Sequence, residues 1–134
     1  MNSPLDPAML LGSMPFAVQA GVEIVSASRE EVTGRLEWAP ERCTAMGVIH
    51  GGAVMTLADS MGALCAFLNL PDGATTSTIE SKTNFFRAVR EGALNSVSRP
   101  LHAGRTTIVV QTDVTDEAGK AVAHVVQTQA VLRP

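Results

Sequence analysis

The feature that most constrains the fold is a long uncharged segment in the middle of the chain. Between Cys43 and Pro71 the only formal charge is on Asp59. Residues 53–70 are otherwise apolar and rich in small side chains, which predicts a helix that is apolar nearly all round and therefore buried inside a domain. Because a carboxylate in such a helix is costly to remove from water unless a partner stabilises it, we expect Asp59 to have a function.

The composition indicates one globular domain. The chain has 134 residues, of which 46% are hydrophobic, and its net charge is −3. This length predicts a single domain over residues 1–134, with residues 1–20 as an N-terminal helical segment. The slight acidity and the scarcity of aromatic residues give no basis for binding nucleic acid.

Targeting and metal-binding patterns are not evident in the sequence. The N-terminus has no basic region followed by an apolar stretch, so we expect a cytoplasmic location. Cys43 and Cys65 have neither metal-site spacing nor a disulfide framework; we expect no metal and no cofactor, with Cys65 as a small core residue. Residues 51–70 are almost long enough to cross a bilayer, which takes about 20 residues. Asp59 and its polar neighbours favour a soluble core helix instead, without a membrane partner.

Turn residues and apolar periodicity divide the chain into alternating elements. Asp6 followed by Pro7 predicts the N-cap and first residue of a helix that Pro15 ends or kinks. Strands are predicted over residues 22–27, 32–38, 75–87, 93–99, 105–114 and 121–132, and the long helix runs from Gly51 to Asn69 after a loop over residues 39–49. This order favours an α+β fold in which an antiparallel sheet wraps around the long helix.

Several short motifs carry a resemblance to known enzymes. They are Gly47-Val48-Ile49-His50-Gly51-Gly52-Ala53, Leu57-Ala58-Asp59-Ser60, Arg90-Glu91-Gly92 and Pro100-Leu101-His102-Ala103-Gly104-Arg105. Together they resemble hotdog-fold acyl-CoA thioesterases of the phenylacetate-degradation and 4-hydroxybenzoyl-CoA types. The resemblance implies a hotdog fold, a coenzyme A ester as substrate, and a homodimer with shared active sites that pairs into a homotetramer.

The chemistry of thioester hydrolysis suits residues at the start of the long helix. The Gly51 N–H, at the positive end of the helix dipole, can stabilise an oxyanion, with Gly52 supporting the turn. Asp59 can attack the acyl carbon or deprotonate water, and the sequence does not choose between the two. Gly51 and Asp59 lie eight residues apart, or about 12 Å along a helix. The mechanism therefore predicts a two-fold dimer whose sites use both chains.

Three further residues are candidates for the catalytic site. His50 either caps the helix or polarises the substrate carbonyl. Thr44 stands where relatives often carry a substrate-contacting Gln or Asn. Thr78 stands where a hydroxyl in some relatives positions water or substrate, although it is equally consistent with an ordinary strand threonine.

Candidates for binding coenzyme A follow the long helix. Arginine suits phosphate because its planar guanidinium can donate two hydrogen bonds at once. The candidates are Arg87, Arg90 and Arg105, and Phe85 is a candidate for the acyl or pantetheine channel. We expect no more than two of the arginines to contact the ligand.

The sequence is therefore interpreted as an acyl-CoA thioesterase. The best estimate for the substrate is an aryl-CoA or arylacetyl-CoA ester, with a medium-chain ester as a second option. Two alternatives stay open at this point: a non-catalytic acyl-CoA-binding hotdog protein, which would not need Asp59, and a hotdog hydratase, whose usual Asp and His pair is not found here.

Overall fold

The computed structural model describes residues 6–134, and its elements follow the predicted order. Over these residues the chain forms three α-helices and six β-strands: α1 Pro7–Gly12, α2 Pro15–Ala20, β1 Val22–Ala27, β2 Val32–Glu37, α3 Gly51–Leu68, β3 Thr75–Phe85, β4 Ala93–Ala103, β5 Thr107–Thr115 and β6 Ala121–Leu132. The strands form one antiparallel sheet in the order β1-β2-β4-β5-β6-β3. Because α3 packs against all six strands, the predicted α+β hotdog architecture is confirmed.

The N-terminal segment follows the predicted capping pattern where it is described. The Asp6 side chain accepts a hydrogen bond from the Ala8 N–H at 3.0 Å, with Pro7 at the first helical position. Pro15 begins α2, because the first turn of a helix does not need the N–H that proline lacks. Residues 1–5 of the predicted helical segment lie outside the described residues.

The boundary between β4 and β5 differs from the prediction. β4 continues past residue 99 to Ala103, and β5 begins at Thr107 rather than at residue 105. The pairing between β2 and β4 reaches only Ser98, so Pro100 has no β2 neighbour that would need its missing N–H. An irregularity between Pro100 and His102 then lets β4 continue its pairing with β5.

The prediction that α3 is buried on nearly all sides is wrong for the single chain. Leu57 and Met61 are fully buried against the sheet. On the opposite face Met55 and Phe67 are 41% and 50% exposed, and Asp59 is exposed with them. Because one sheet covers only one side of a helix, the remaining apolar face of α3 has no cover within one copy.

The position of α3 also explains two other features of its sequence. Among the described residues it is the one helix with the length and apolar composition of a membrane span, yet it is the central helix of the fold and contacts every strand. Cys65 on this helix is fully buried, and burial raises the pKa of its thiol to about 11. Cys65 is therefore the unreactive core residue that the sequence predicted.

A close approach between α3 and the sheet occurs at Gly34 in β2. A Cβ atom on this glycine would lie 2.6 Å from the Met61 Sδ and 2.9 Å from the Ser96 Oγ. Met61 and Ser96 are themselves buried, so neither can move away freely. The absence of a side chain at Gly34 therefore sets how closely the helix packs on the sheet.

We expect Gly34→Val to lower the free energy of unfolding by roughly 1–3 kcal/mol, because overpacking at this contact forces the helix away from the sheet. Thermal denaturation followed by circular dichroism measures the effect. Gly12→Ala is the control, since a Cβ on Gly12 would meet nothing within 4 Å. A Gly34→Val protein as stable as the control would contradict this account of the packing.

Candidate functional site

The N-terminus of α3 presents a free backbone amide. His50 is the N-cap, and its Nδ1 accepts a hydrogen bond from the Gly52 N–H at 2.8 Å. Among the hydrogen bonds between described residues, none takes the Gly51 N–H as donor. This amide lies at the positive end of the helix dipole and is available to a ligand oxygen. His50 thus caps the helix, as one of its two interpretations expected; its catalytic role stays a prediction.

The N-terminus of α3 borders a cleft of about 360 Å³, here named the Gly51 cleft. Four predicted site residues line it: Thr44, Gly51, Phe85 and Arg87. The Phe85 ring lies over the glycine, since a Cβ on Gly51 would be 3.4 Å from the ring. A larger residue at position 51 would therefore fill the space between the ring and the amide.

The loop before α3 forms one wall of this cleft and is anchored at several points. The Trp38 Nε1–H donates to the Gly47 carbonyl at 2.9 Å. The Thr44 N–H donates to the Val48 carbonyl at 2.8 Å, which closes a turn within the loop. Thr44 is thereby held at the cleft although its side chain remains exposed.

Asp59 lies about two turns further along α3, on its exposed face. Its Oδ1 accepts hydrogen bonds from the Thr78 Oγ1 at 3.2 Å and from the Gln127 Nε2 at 3.3 Å. The fold thus brings together two predicted site residues, Asp59 and Thr78. Neither of them lines the Gly51 cleft, so one copy of the chain contains two separate half-sites.

Two glutamines on β6, neither of them predicted from the sequence, extend the Asp59 half-site. Gln127 contacts Asp59 directly, and the Gln129 Nε2 donates to the Thr78 Oγ1 at 2.7 Å. Both side chains are fully buried. Their period-two spacing was the available signal in the sequence. It places both glutamines on the same buried face of β6 as Val125, where apolar side chains are expected.

An apolar cavity of about 400 Å³ adjoins the Asp59 half-site and is here named the Phe67 cavity. Ala63 and Phe67 line it, and they follow Asp59 on the same helix stripe at four-residue spacing. Its other wall comes from the N-terminal segment, with Met9, Leu10 and Met14. The cavity therefore begins one turn beyond the carboxylate and is lined mainly by apolar side chains.

The candidate arginines occupy opposite ends of the sheet. Arg87 lines the Gly51 cleft, and Arg87 and Arg90 line a shallower groove beside it that also contains Glu117. Arg105 follows β4, at the end of the sheet where β5 begins beside the end of β6. β3 ends beside the start of β6, so residues 87 and 105 are far apart in one copy.

Comparisons with known proteins identify the family. Residues 46–123, more than half of the chain, match the family model described as the thioesterase superfamily. The 1,4-dihydroxy-2-naphthoyl-CoA hydrolase of Escherichia coli is 34% identical over 86 residues, which cover 64% of this chain and 63% of that protein.

Solved structures agree with the family assignment. A mutant thioesterase from Pseudomonas aeruginosa superposes with a TM-score of 0.90 at 26% identity, covering 98% of this chain and 96% of the other. A hypothetical thioesterase from Streptococcus pneumoniae, solved with coenzyme A, superposes with a TM-score of 0.81 at 25% identity, covering 92% of this chain and 99% of the other. The chain therefore belongs to the thioesterase superfamily and is a thioester hydrolase.

Proposed function

We propose that this protein hydrolyses an acyl-CoA, with the Gly51 N–H as oxyanion donor and Asp59 as general base or nucleophile. The observation that carries the proposal is the free Gly51 amide at the Gly51 cleft, beneath the Phe85 ring. One such donor contributes roughly a hundred- to a thousandfold in rate. The similar protein solved with coenzyme A supports this class of substrate.

The reaction forms one bond at the acyl carbon and breaks the C–S bond. As general base, Asp59 takes a proton from water while the water oxygen bonds to the acyl carbon. The resulting oxyanion rests on the Gly51 amide until the C–S bond breaks, and the departing thiolate then takes the proton back from Asp59. As nucleophile, Asp59 bonds to the acyl carbon and expels the thiolate, and water hydrolyses the mixed anhydride. Both routes use the same carboxylate and the same oxyanion donor.

A second copy of the chain joins the two half-sites in this proposal. β3 is an edge strand of 11 residues that lies beside the exposed face of α3. An exposed edge of this length favours pairing with another strand. Two copies that pair antiparallel along β3 about a two-fold axis would cover both this edge and the exposed side of the helix.

The course of β3 explains why this pairing would complete the site. Phe85 at the end of β3 overlies Gly51, whereas Thr78 nearer its start contacts Asp59. Antiparallel pairing brings the Phe85 end of one copy against the Thr78 end of the other. The Gly51 cleft of one copy then faces the Asp59 half-site of the other, and Arg105 of the second copy comes to the same end as Arg87.

The two cavities provide separate binding regions for the pantetheine arm and the acyl group of the substrate. In the proposed dimer the Gly51 cleft holds the pantetheine arm, with Arg87 and either Arg90 or Arg105 near the phosphates. The Phe67 cavity of the second copy holds the acyl group. Its methionine and phenylalanine side chains suit an aromatic ring, and the similarity to a naphthoyl-CoA hydrolase supports an aryl or arylacetyl ester.

His50 combines capping with a second proposed role. Because its Nδ1 accepts the Gly52 N–H, the neutral ring carries its proton on Nε2. The side chain is exposed beside the Gly51 amide, so this proton can be donated to a ligand oxygen. The cap thus fixes the tautomer that polarises a thioester carbonyl.

Asp59→Asn is expected to lower kcat at least about a hundredfold, because asparagine can neither accept the proton nor form the anhydride. Free-thiol release is measured with benzoyl-, phenylacetyl-, hexanoyl- and palmitoyl-CoA, and the aromatic esters are expected to react fastest. Asp72→Asn makes the same change at an exposed carboxylate in the loop after α3 and should react like the wild type. No release by the wild type would favour a binding protein or a hydratase, and equal release by Asp59→Asn would refute the role of Asp59.

Substitutions of His50 separate its two roles. His50→Asn keeps a side-chain acceptor for the cap, whereas His50→Ala removes it at a cost of about 1 kcal/mol in stability. We expect both variants to lose about tenfold or more in kcat, because both lack the ring proton, and only His50→Ala to melt at a lower temperature. A His50→Asn protein with wild-type kcat would show that the ring acts as a cap alone.

A further inference from the structure

Two polar side chains lie on the inward face of β6, where apolar side chains are expected. Gln127 and Gln129 are fully buried, while Val125 and Val131 on the same face are packed into the core. Burying an amide lowers stability unless all of its polar atoms find partners. The Gln127 Oε1 is buried and has no hydrogen-bond partner among the described residues. Because the unpartnered oxygen lowers stability, the presence of Gln127 indicates a function other than packing.

The contact with Asp59 fixes the orientation of the Gln127 amide. A carboxylate accepts hydrogen bonds, so the Nε2 group has to face Asp59 and the Oε1 atom has to face away. The Oε1 atom points at Gly62, where a Cβ would lie only 2.1 Å from it. The glycine, three residues after Asp59 on α3, therefore provides the space in which Gln127 reaches the carboxylate.

Gln129 acts on the same carboxylate through Thr78. Its Nε2 donates to the Thr78 Oγ1 at 2.7 Å, which occupies the hydroxyl as an acceptor. The hydroxyl proton is then directed to the Asp59 Oδ1 at 3.2 Å. At the other end of the amide, the Gln129 Oε1 lies 3.1 Å from the Thr76 Oγ1, whose one proton also has the Ala130 carbonyl as an acceptor at 2.7 Å.

Both hydrogen bonds reach the same carboxylate oxygen. The Thr78 hydroxyl and the Gln127 amide both donate to Oδ1, and no hydrogen bond between described residues reaches Oδ2. Two donors on one oxygen fix the plane of the carboxylate and leave the second oxygen without a partner among the described residues. Oδ1 is thus held by two hydrogen bonds, and Oδ2 is left to react.

We propose that Gln127 and Gln129 are positioning residues that hold Asp59 by its Oδ1 and leave Oδ2 as the reacting atom. The inference rests on the proposed role of Asp59 and extends it to a specific atom and to two residues that act on Asp59 through hydrogen bonds. It holds for either chemical route, because the free oxygen takes the water proton in one and forms the bond to the acyl carbon in the other.

Gln127→Met tests the inference, because it keeps the side-chain volume and removes both the donor and the unpartnered oxygen. We expect the melting temperature to stay the same or rise, while kcat for the preferred acyl-CoA falls about tenfold or more and KM changes little. If Gln127 had a purely structural role, kcat would fall only if the melting temperature also fell. Thr112→Val is the control: it removes a buried hydroxyl that pairs with Ser98, away from Asp59, and should leave kcat unchanged.

A double-mutant cycle tests the indirect role of Gln129. We expect Gln129→Met to lower kcat in the wild type and in Thr78→Ser, which keeps the hydroxyl, but to have little further effect in Thr78→Val. Gln127→Met, which acts directly on Asp59, should lower kcat in all three backgrounds.

The outcomes distinguish this inference from the proposed function. Loss of turnover in Asp59→Asn together with wild-type kcat in Gln127→Met would overturn the positioning role alone. The same holds if Gln129→Met and Thr78→Val reduce kcat independently. Full turnover in Asp59→Asn would overturn both proposals.

Discussion

The packing of a single apolar helix against an antiparallel sheet determines both the fold and the candidate site. Leu57 and Met61 are buried against the sheet, and Gly34 gives the helix room to come close. The helix begins where the polypeptide leaves an anchored loop, so its first residue, Gly51, lies at a cleft rather than in the core. The opposite side of the helix remains uncovered and carries the carboxylate. The positions of both groups of the candidate site thus follow from the placement of α3.

Because α3 is a rigid helix, it holds Gly51 and Asp59 of one chain at a fixed distance from each other. Gly51 and Asp59 are about 12 Å apart along the axis, which is too far for both to act on one carbonyl group. The exposed apolar residues Met55 and Phe67 and the free edge of β3 lie on the same side as Asp59. The features that leave the single chain incomplete are those that a second copy would cover.

Much of the architecture was predictable because it depends on local signals. The Asp6 cap, the break near Pro15 and the start of α3 at Gly51 agree with short-range residue preferences. The limits of β4 and β5 were not predictable, because they depend on where β2 stops pairing with β4. The exposure of Asp59 also required the structure, since an apolar pattern cannot show which side of a helix the sheet leaves uncovered.

The candidate site was predictable where its residues adjoin a motif and not where it depends on the register of the strands. Gly51, His50 and Asp59 stand in one continuous segment, and Phe85 could be singled out because it follows on the next strand. The contact of Gln127 with Asp59 becomes evident only in the folded sheet, which places Gln127 beside Gly62. In the sequence it is one polar residue in a strand, and nothing nearby indicates a contact with residue 59.

Hybrid dimers test whether each site takes Gly51 from one copy and Asp59 from the other. Gly51→Val and Asp59→Asn chains carrying different affinity tags are co-expressed, and the hybrid is purified through both tags. If the sites are shared, one site of the hybrid contains both native groups and the other contains both substitutions. We expect each hybrid dimer to release thiol at about half of the wild-type rate, although each homodimer is inactive. A hybrid no more active than the two homodimers would contradict it.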